Sequence, residues 1–148
     1  MKKSYVKLGI ALGTSLLVMY LLTFSMVERW GHLHMNLSNF YMALMMVAPM
    51  GIVMLLVMRS MFRDTRLNVI LHVSFAVLFV AAFWLGRTET FIGDEGFLDA
   101  MIPHHSRAIL VCQESSLSDP EVVELCDQIV ETQREEIAQM ERILDERY

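Results

Sequence analysis

Residues 40–58 read FYMALMMVAPMGIVMLLVM, 19 residues without a charge. An α-helix rises 1.5 Å per residue, so about 20 residues cross roughly 30 Å of hydrocarbon. Two further stretches have this character. Leu8 to Val27 gives 20 uncharged residues, and Val69 to Leu85 gives 17, extended by Leu67, Asn68 and Gly86 as interfacial ends. A charge at the centre of a span costs at least about 2.5–3.5 kcal/mol, and none of the three contains one. The pattern predicts an all-α chain with transmembrane helices at about 8–27, 40–58 and 67–86. The lipid bilayer is then its first partner.

The 148 residues are 55% hydrophobic, and the charges are unevenly placed. Residues 1–87 carry two acids, Glu28 and Asp64; residues 88–148 carry the other 15, against four arginines. A membrane domain at 1–87 is therefore followed by an acidic, water-exposed domain at 88–148. Lys2 and Lys3 resemble the start of a signal peptide. However, the apolar run is long for one and no A-x-A site follows it, so a retained anchor is expected. Lys2, Lys3, Lys7, Arg59, Arg63 and Arg66 lie on one side of the spans; Arg29 and Arg87 lie on the other. This bias predicts an inside N-terminus and an outside C-terminal domain.

Several residues in the membrane half stand out. Gly9 and Gly13 form a GxxxG spacing that suits close helix pairing, although glycine is also simply common in membrane helices. Met42, Met46, Met50, Met54 and Met58 recur every four residues and are expected to form one ridge. Two readings stay open for it: a soft packing seam, or a thioether ladder for Cu(I). Pro49 and Gly51 predict a kink. The outer loop carries His32, His34 and Met35, either interfacial polar residues or, with Met42, Met46 and Met50, a secondary metal path. His72 is an ionisable residue inside the third span and has no assigned role.

Beyond residue 88 the pattern predicts two helices, at about 94–116 and 118–146, with Ser118 or Asp119 as cap, Pro120 in the first turn and Glu121 closing a capping box on Ser118. A short turn between them makes an antiparallel hairpin. At 100° per residue, Asp94, Met101, His104, His105 and Cys112 fall on one face of the first helix. Asp99 points away. Pro103 bends the helix just before the histidines. Folding the hairpin sets Cys112 opposite Cys126, and His104 and His105 opposite Arg134 and Gln133. Met101 comes level with Ile137, beside Glu136. Imidazoles, an amide and carboxylates in one buried layer need partners. Two readings remain: metal ligation, oriented by Gln133 or Glu136, or a hydrogen-bonded layer that sets helix register. No Glu-x-x-His pair of the di-iron bundles is present. Cys112 and Cys126 suit a disulfide in an oxidising compartment, with soft ligands or plain thiols as alternatives. No nucleophile elbow, phosphate loop or basic nucleic-acid patch occurs, so catalysis by side chains alone has no support and no nucleic-acid partner is expected.

The stretch FLDAMIPHHSRAI, followed by DPEV and QREEIAQM, resembles the bacterial family called domain of unknown function 305, over about residues 91–146. The segment NFYMALMMVAPM is similar to its three-span membrane branch. The resemblance implies a ferritin-like helical bundle in a bacterial inner membrane, with the C-terminal domain in the periplasm. It also implies links to copper binding and tolerance. By position it marks Asp94, Met101, His104, His105, Gln133, Glu136 and Met140 as metal-site residues. Val111, followed by Cys112, departs from the methionine that many members carry near that position. Longer relatives have two hairpins, so a second copy of this chain is expected to complete a four-helix bundle, because two helices alone make a weak core.

The expected function is therefore a membrane-anchored periplasmic metal-binding protein, with copper ion as cofactor and other transition metals as alternatives, acting in homeostasis or delivery. The first alternative is a structural or interaction module with a polar layer and no metal. A weaker one is a metal-dependent oxidoreductase.

Overall fold

The computed structural model describes residues 2–148. The helices are α1 (Lys2–Leu22), α2 (Leu37–Val57), α3 (Thr65–Arg87), α4 (Asp94–Glu114) and α5 (Pro120–Arg147), with a short 3-10 turn at Trp30–His32. Among the described residues no strand occurs. α1, α2 and α3 are each long and apolar enough to cross a membrane, which marks the chain as a membrane protein.

Contacts divide the chain into two compact units. One holds α1 and Ser38–Phe91; the other holds Thr23–Leu37 together with Ile92–Tyr148. The loop between α1 and α2 thus groups with the C-terminal hairpin. The same loop explains where α1 ends. The apolar run continues to Val27, but the helix stops at Leu22. Phe24, in the loop, is 1% exposed. Its hydrophobicity reflects burial in a folded segment rather than a longer span.

The membrane-type unit has its own core. Leu8 and Leu12 of α1, Val47 and Leu55 of α2 and Phe62 of the following turn are buried together, with Leu71 and Phe75 of α3 packed against them. Asp64 starts α3 by accepting the Leu67 N–H at 3.0 Å, a cap that typically contributes about 1 kcal/mol. The outward side of α3 leaves Val69, Val73, Val77, Val80 and Phe83 exposed, as an apolar surface solvated by lipid would be. Gly51 lets α2 and α3 approach: a Cβ there would lie 2.8 Å from the Phe75 ring. Gly9 and Gly13 have nothing within 4 Å of such a Cβ, so within the chain the GxxxG motif packs no helix.

The methionines of α2, with Met58 just past its end, do not form one ridge. Four residues advance a helix by about 40° beyond a full turn, so the series winds around it. Met42 and Met46 are exposed, whereas Met50, Met54 and Met58 pack against the core. α2 contains Pro49 and remains one helix.

In the second unit α4 and α5 form the hairpin. Asp119 is the cap of α5; its side chain accepts the N–H groups of Glu121 (2.9 Å) and Val122 (3.3 Å). The Ser118–Glu121 capping box does not fit that register, because the cap lies one residue later. Cys112 and Cys126 are joined by a disulfide with Cα atoms 5.4 Å apart. The closed loop spans 14 residues, a length for which the chain-entropy model gives about 3 kcal/mol of stabilisation.

Gly51→Ala is expected to destabilise the membrane unit by about 1–3 kcal/mol through overpacking against Phe75. Thermal unfolding in detergent measures this, and pairing the change with Phe75→Leu should recover much of the loss.

Candidate functional site

α4 carries two working faces. The buried stripe Leu98, Ile102, His105, Ser106 and Ile109 follows the three- and four-residue spacing of a helix face. Its apolar members meet Ile137 and Met140 of α5, with Met101, Val130, Ile143 and Leu144 around them.

His105 sits in the α5-facing layer, 8% exposed. Its Nδ1 lies 2.8 Å from the Met101 carbonyl oxygen, and its Nε2 lies 2.8 Å from Glu136 Oε2. The carbonyl can only accept, so Nδ1 carries a proton and Nε2 is turned toward the carboxylate. Gln133 donates to the same Glu136 oxygen at 3.4 Å. His105, Met101, Glu136 and Gln133 thus come together, and Met140 lies in the adjoining apolar cluster.

His104 is exposed. The expectation of two inward imidazoles fails because adjacent residues diverge by about 100°, and the stripe takes His105. The two rings still meet edge to face, with centroids 5.7 Å apart. Asp94 is also exposed; Tyr148 Oη donates to its Oδ2 at 3.5 Å. Among the described residues no three His, Cys, Asp or Glu side chains gather to hold a metal ion.

The second face of α4 binds the Thr23–Leu37 loop. Ser106 Oγ is fully buried and accepts the Glu28 N–H at 2.7 Å, with His32 Nδ1 at 2.9 Å. The Ser106 hydroxyl can donate its hydrogen to a bare His32 Nδ1 or accept a second hydrogen from it, as the ring tautomer dictates. Nε2 looks toward Glu141 Oε1, 3.8 Å away, across a cleft of about 170 Å³ that Glu28, Arg29, His32, Arg134 and Glu141 help to line. Asp99, expected to point away, accepts from His34 Nδ1 at 2.9 Å, and its carbonyl takes the Asn36 amide at 3.3 Å. It does point away from α5, but toward the loop.

Glu28 completes this face through Arg134 of α5 at 2.8 Å, with Gln113 donating to it at 3.4 Å. Burial raises the carboxyl, but the Arg134 hydrogen bond and charge, Gln113 and the charge of Arg29 outweigh it and hold the group below its ordinary 4.5. One sequence signal pointed here: Glu28 is the sole acid before Asp64, and an isolated acid beside an apolar span needs a partner. Of the expected secondary metal path, His32 and His34 have Nδ1 engaged, Met35 is exposed, and Met42 and Met46 face outward while Met50 faces the core.

The sequence profile of "Domain of unknown function (DUF305)" matches residues 86–144. An uncharacterized protein of Acanthamoeba polyphaga mimivirus is 35% identical over 119 residues, covering 79% of this chain and 76% of that protein. No solved structure matches the chain.

A depressed carboxyl stabilises above its unfolded value and loses that contribution as pH falls through the folded value. The protection factors of the Thr23–Leu37 amides, with the intrinsic pH dependence of exchange divided out, should therefore fall as pH drops below about 4.5. In Glu28→Gln the exchange should already be faster at neutral pH, and its acid dependence should be smaller.

Proposed function

We propose a function for a chain that belongs to the domain of unknown function 305 family: it is a membrane-anchored protein that binds copper(I) outside the cytoplasm, in metal homeostasis or delivery. The observation that carries this reading is the His105 imidazole. A backbone carbonyl holds its Nδ1 proton, as the non-ligating nitrogen of metal-bound histidines is held, and leaves Nε2, 2.8 Å from Glu136, as the nitrogen a metal would take. The donors around it fit a soft ion better than zinc. Three hard or borderline side chains do not gather among the described residues, whereas the thioethers of Met101 and Met140 belong to the neighbouring cluster. Thioether sulfur and imidazole suit copper(I).

His105, Met101 and Met140 would hold the ion, with Glu136 and Gln133 orienting the site and exposed His104 available beside it. The ion would be the cargo, accepting thioether and imidazole ligands from the chain for storage or transfer. The chain's own part is to hold the His105 ring in place through the Met101 carbonyl and the Glu136 carboxylate. The basic residues on one side of the spans support an N-terminus in the cytoplasm and a periplasmic hairpin in a bacterial inner membrane. In this reading a second copy supplies the remaining layer of a ferritin-like bundle.

A second reading has one observation in its favour: both His105 ring nitrogens already face acceptors within the chain. The layer is then a register clamp and the domain an interaction module without metal.

Copper(I) titration against a competing chelator separates the two. Under the copper reading, His105→Ala and the packing-conservative pair Met101→Leu/Met140→Leu each weaken the site at least about 10-fold, and His104→Ala weakens it less. Under the clamp reading, none changes copper binding, while His105→Ala costs about 1–3 kcal/mol of stability through the unpaired Glu136.

A further inference from the structure

The membrane unit contains an imidazole whose chemistry nothing above uses. His72 of α3 donates from Nδ1 to the Asn68 carbonyl at 2.7 Å. That bond fixes the tautomer, so Nε2 bears the lone pair. Among the described residues Nε2 is a buried side-chain nitrogen with no hydrogen-bond partner. Buried polar atoms are normally satisfied, and one that is not calls for a reason.

The helix register shows what stands beside it. A Cβ on Gly51 would lie 2.8 Å from the Phe75 ring, and one on Gly86 would lie 3.3 Å from Tyr41 Cβ. α2 and α3 therefore run antiparallel, with Gly51 level with Phe75. Three residues from each, toward the turn that joins them, Met54 comes level with His72. Met54 packs against the unit's core, as do Met50 and Met58 one turn either side, and Leu71 and Phe75 flank His72 in the same core. Asn68, one turn before His72, accepts the Tyr5 hydroxyl of α1 at 2.9 Å, so this stripe of α3 faces the inside of the three-helix unit.

We propose that His72 Nε2 and the Met54 thioether form a copper(I) site inside the membrane unit, separate from the hairpin layer. A bare imidazole nitrogen and a thioether are two ligands that a soft monovalent ion accepts together. Copper(I) also carries one charge, the smallest burden such a metal brings into a low-dielectric interior. Intramembrane ionisable residues that face a bundle interior mark ion pathways. The arrangement gives His72 a partner and separates the inward methionines Met50, Met54 and Met58 from the outward Met42 and Met46. The proposal does not rest on the hairpin site, and its test tells the two apart.

Full-length protein in detergent is titrated with copper(I) against a chelator, and the bound metal is examined by X-ray absorption. His72→Gln and Met54→Leu are expected to lose one equivalent, or to weaken one at least 10-fold, with loss of nitrogen or sulfur scattering respectively. Circular dichroism checks that helix content is unchanged. His105→Ala should leave this equivalent in place. Binding lost in His105→Ala alone, with His72→Gln and Met54→Leu like the wild type, would overturn the membrane site. Binding lost in the latter two alone would uphold it and remove the hairpin site. No copper bound by the wild type would overturn both.

Discussion

A single buried hydroxyl joins the parts of the second unit. Ser106 Oγ receives the backbone N–H of Glu28 and pairs with His32, so one atom of α4 fixes two points of the preceding loop. A fully buried oxygen with no donor to accept, or no acceptor for its hydrogen, would cost on the order of 1–3 kcal/mol. Satisfying it orders the loop. Glu28 then meets Arg134 of α5, and His34 and Asn36 meet Asp99 of α4. α4 is therefore covered on two sides, by α5 through His105 and by the loop through Ser106 and Asp99. A hairpin of two helices buries little on its own, and the loop supplies a layer from within the same chain.

This arrangement also separates the roles of the histidines. His32 faces a hydroxyl, His34 and His105 face carboxylates, and His104 meets its neighbour's ring edge to face. Imidazoles tied at one nitrogen present the other in a fixed direction. In the hairpin that direction leads to Glu136, and in the membrane unit His72 Nε2 is buried with no hydrogen-bond partner among the described residues.

Local patterns were legible and long-range pairings were not. Uncharged runs of span length located three helices, and the Pro120 start with an acidic or hydroxyl cap located α5. The helical face that brought Cys112 to Cys126 is a matter of spacing alone. Spacing places both histidines in one arc, but that arc is wider than the stripe a single partner helix buries, and His104 falls outside it. The methionine series suggests one ridge because a four-residue repeat looks vertical over two residues and winds over five. The loop's attachment left almost no periodic trace. Glu28 and Ser106 are 78 residues apart, and a pairing at that separation is decided by tertiary closure.

The loop at Thr23–Leu37 and the hairpin after Ile92 share one folded unit although α2 and α3 lie between them in sequence. Two crossings return a chain to the side it left, so the pairing requires both intervening helices to span the bilayer or neither. The Glu28–Arg134 contact thus acts as a parity check on insertion. During synthesis the loop is exposed first and has no partner until the hairpin emerges after α3. Only a chain that has threaded the membrane an even number of times in between can close it.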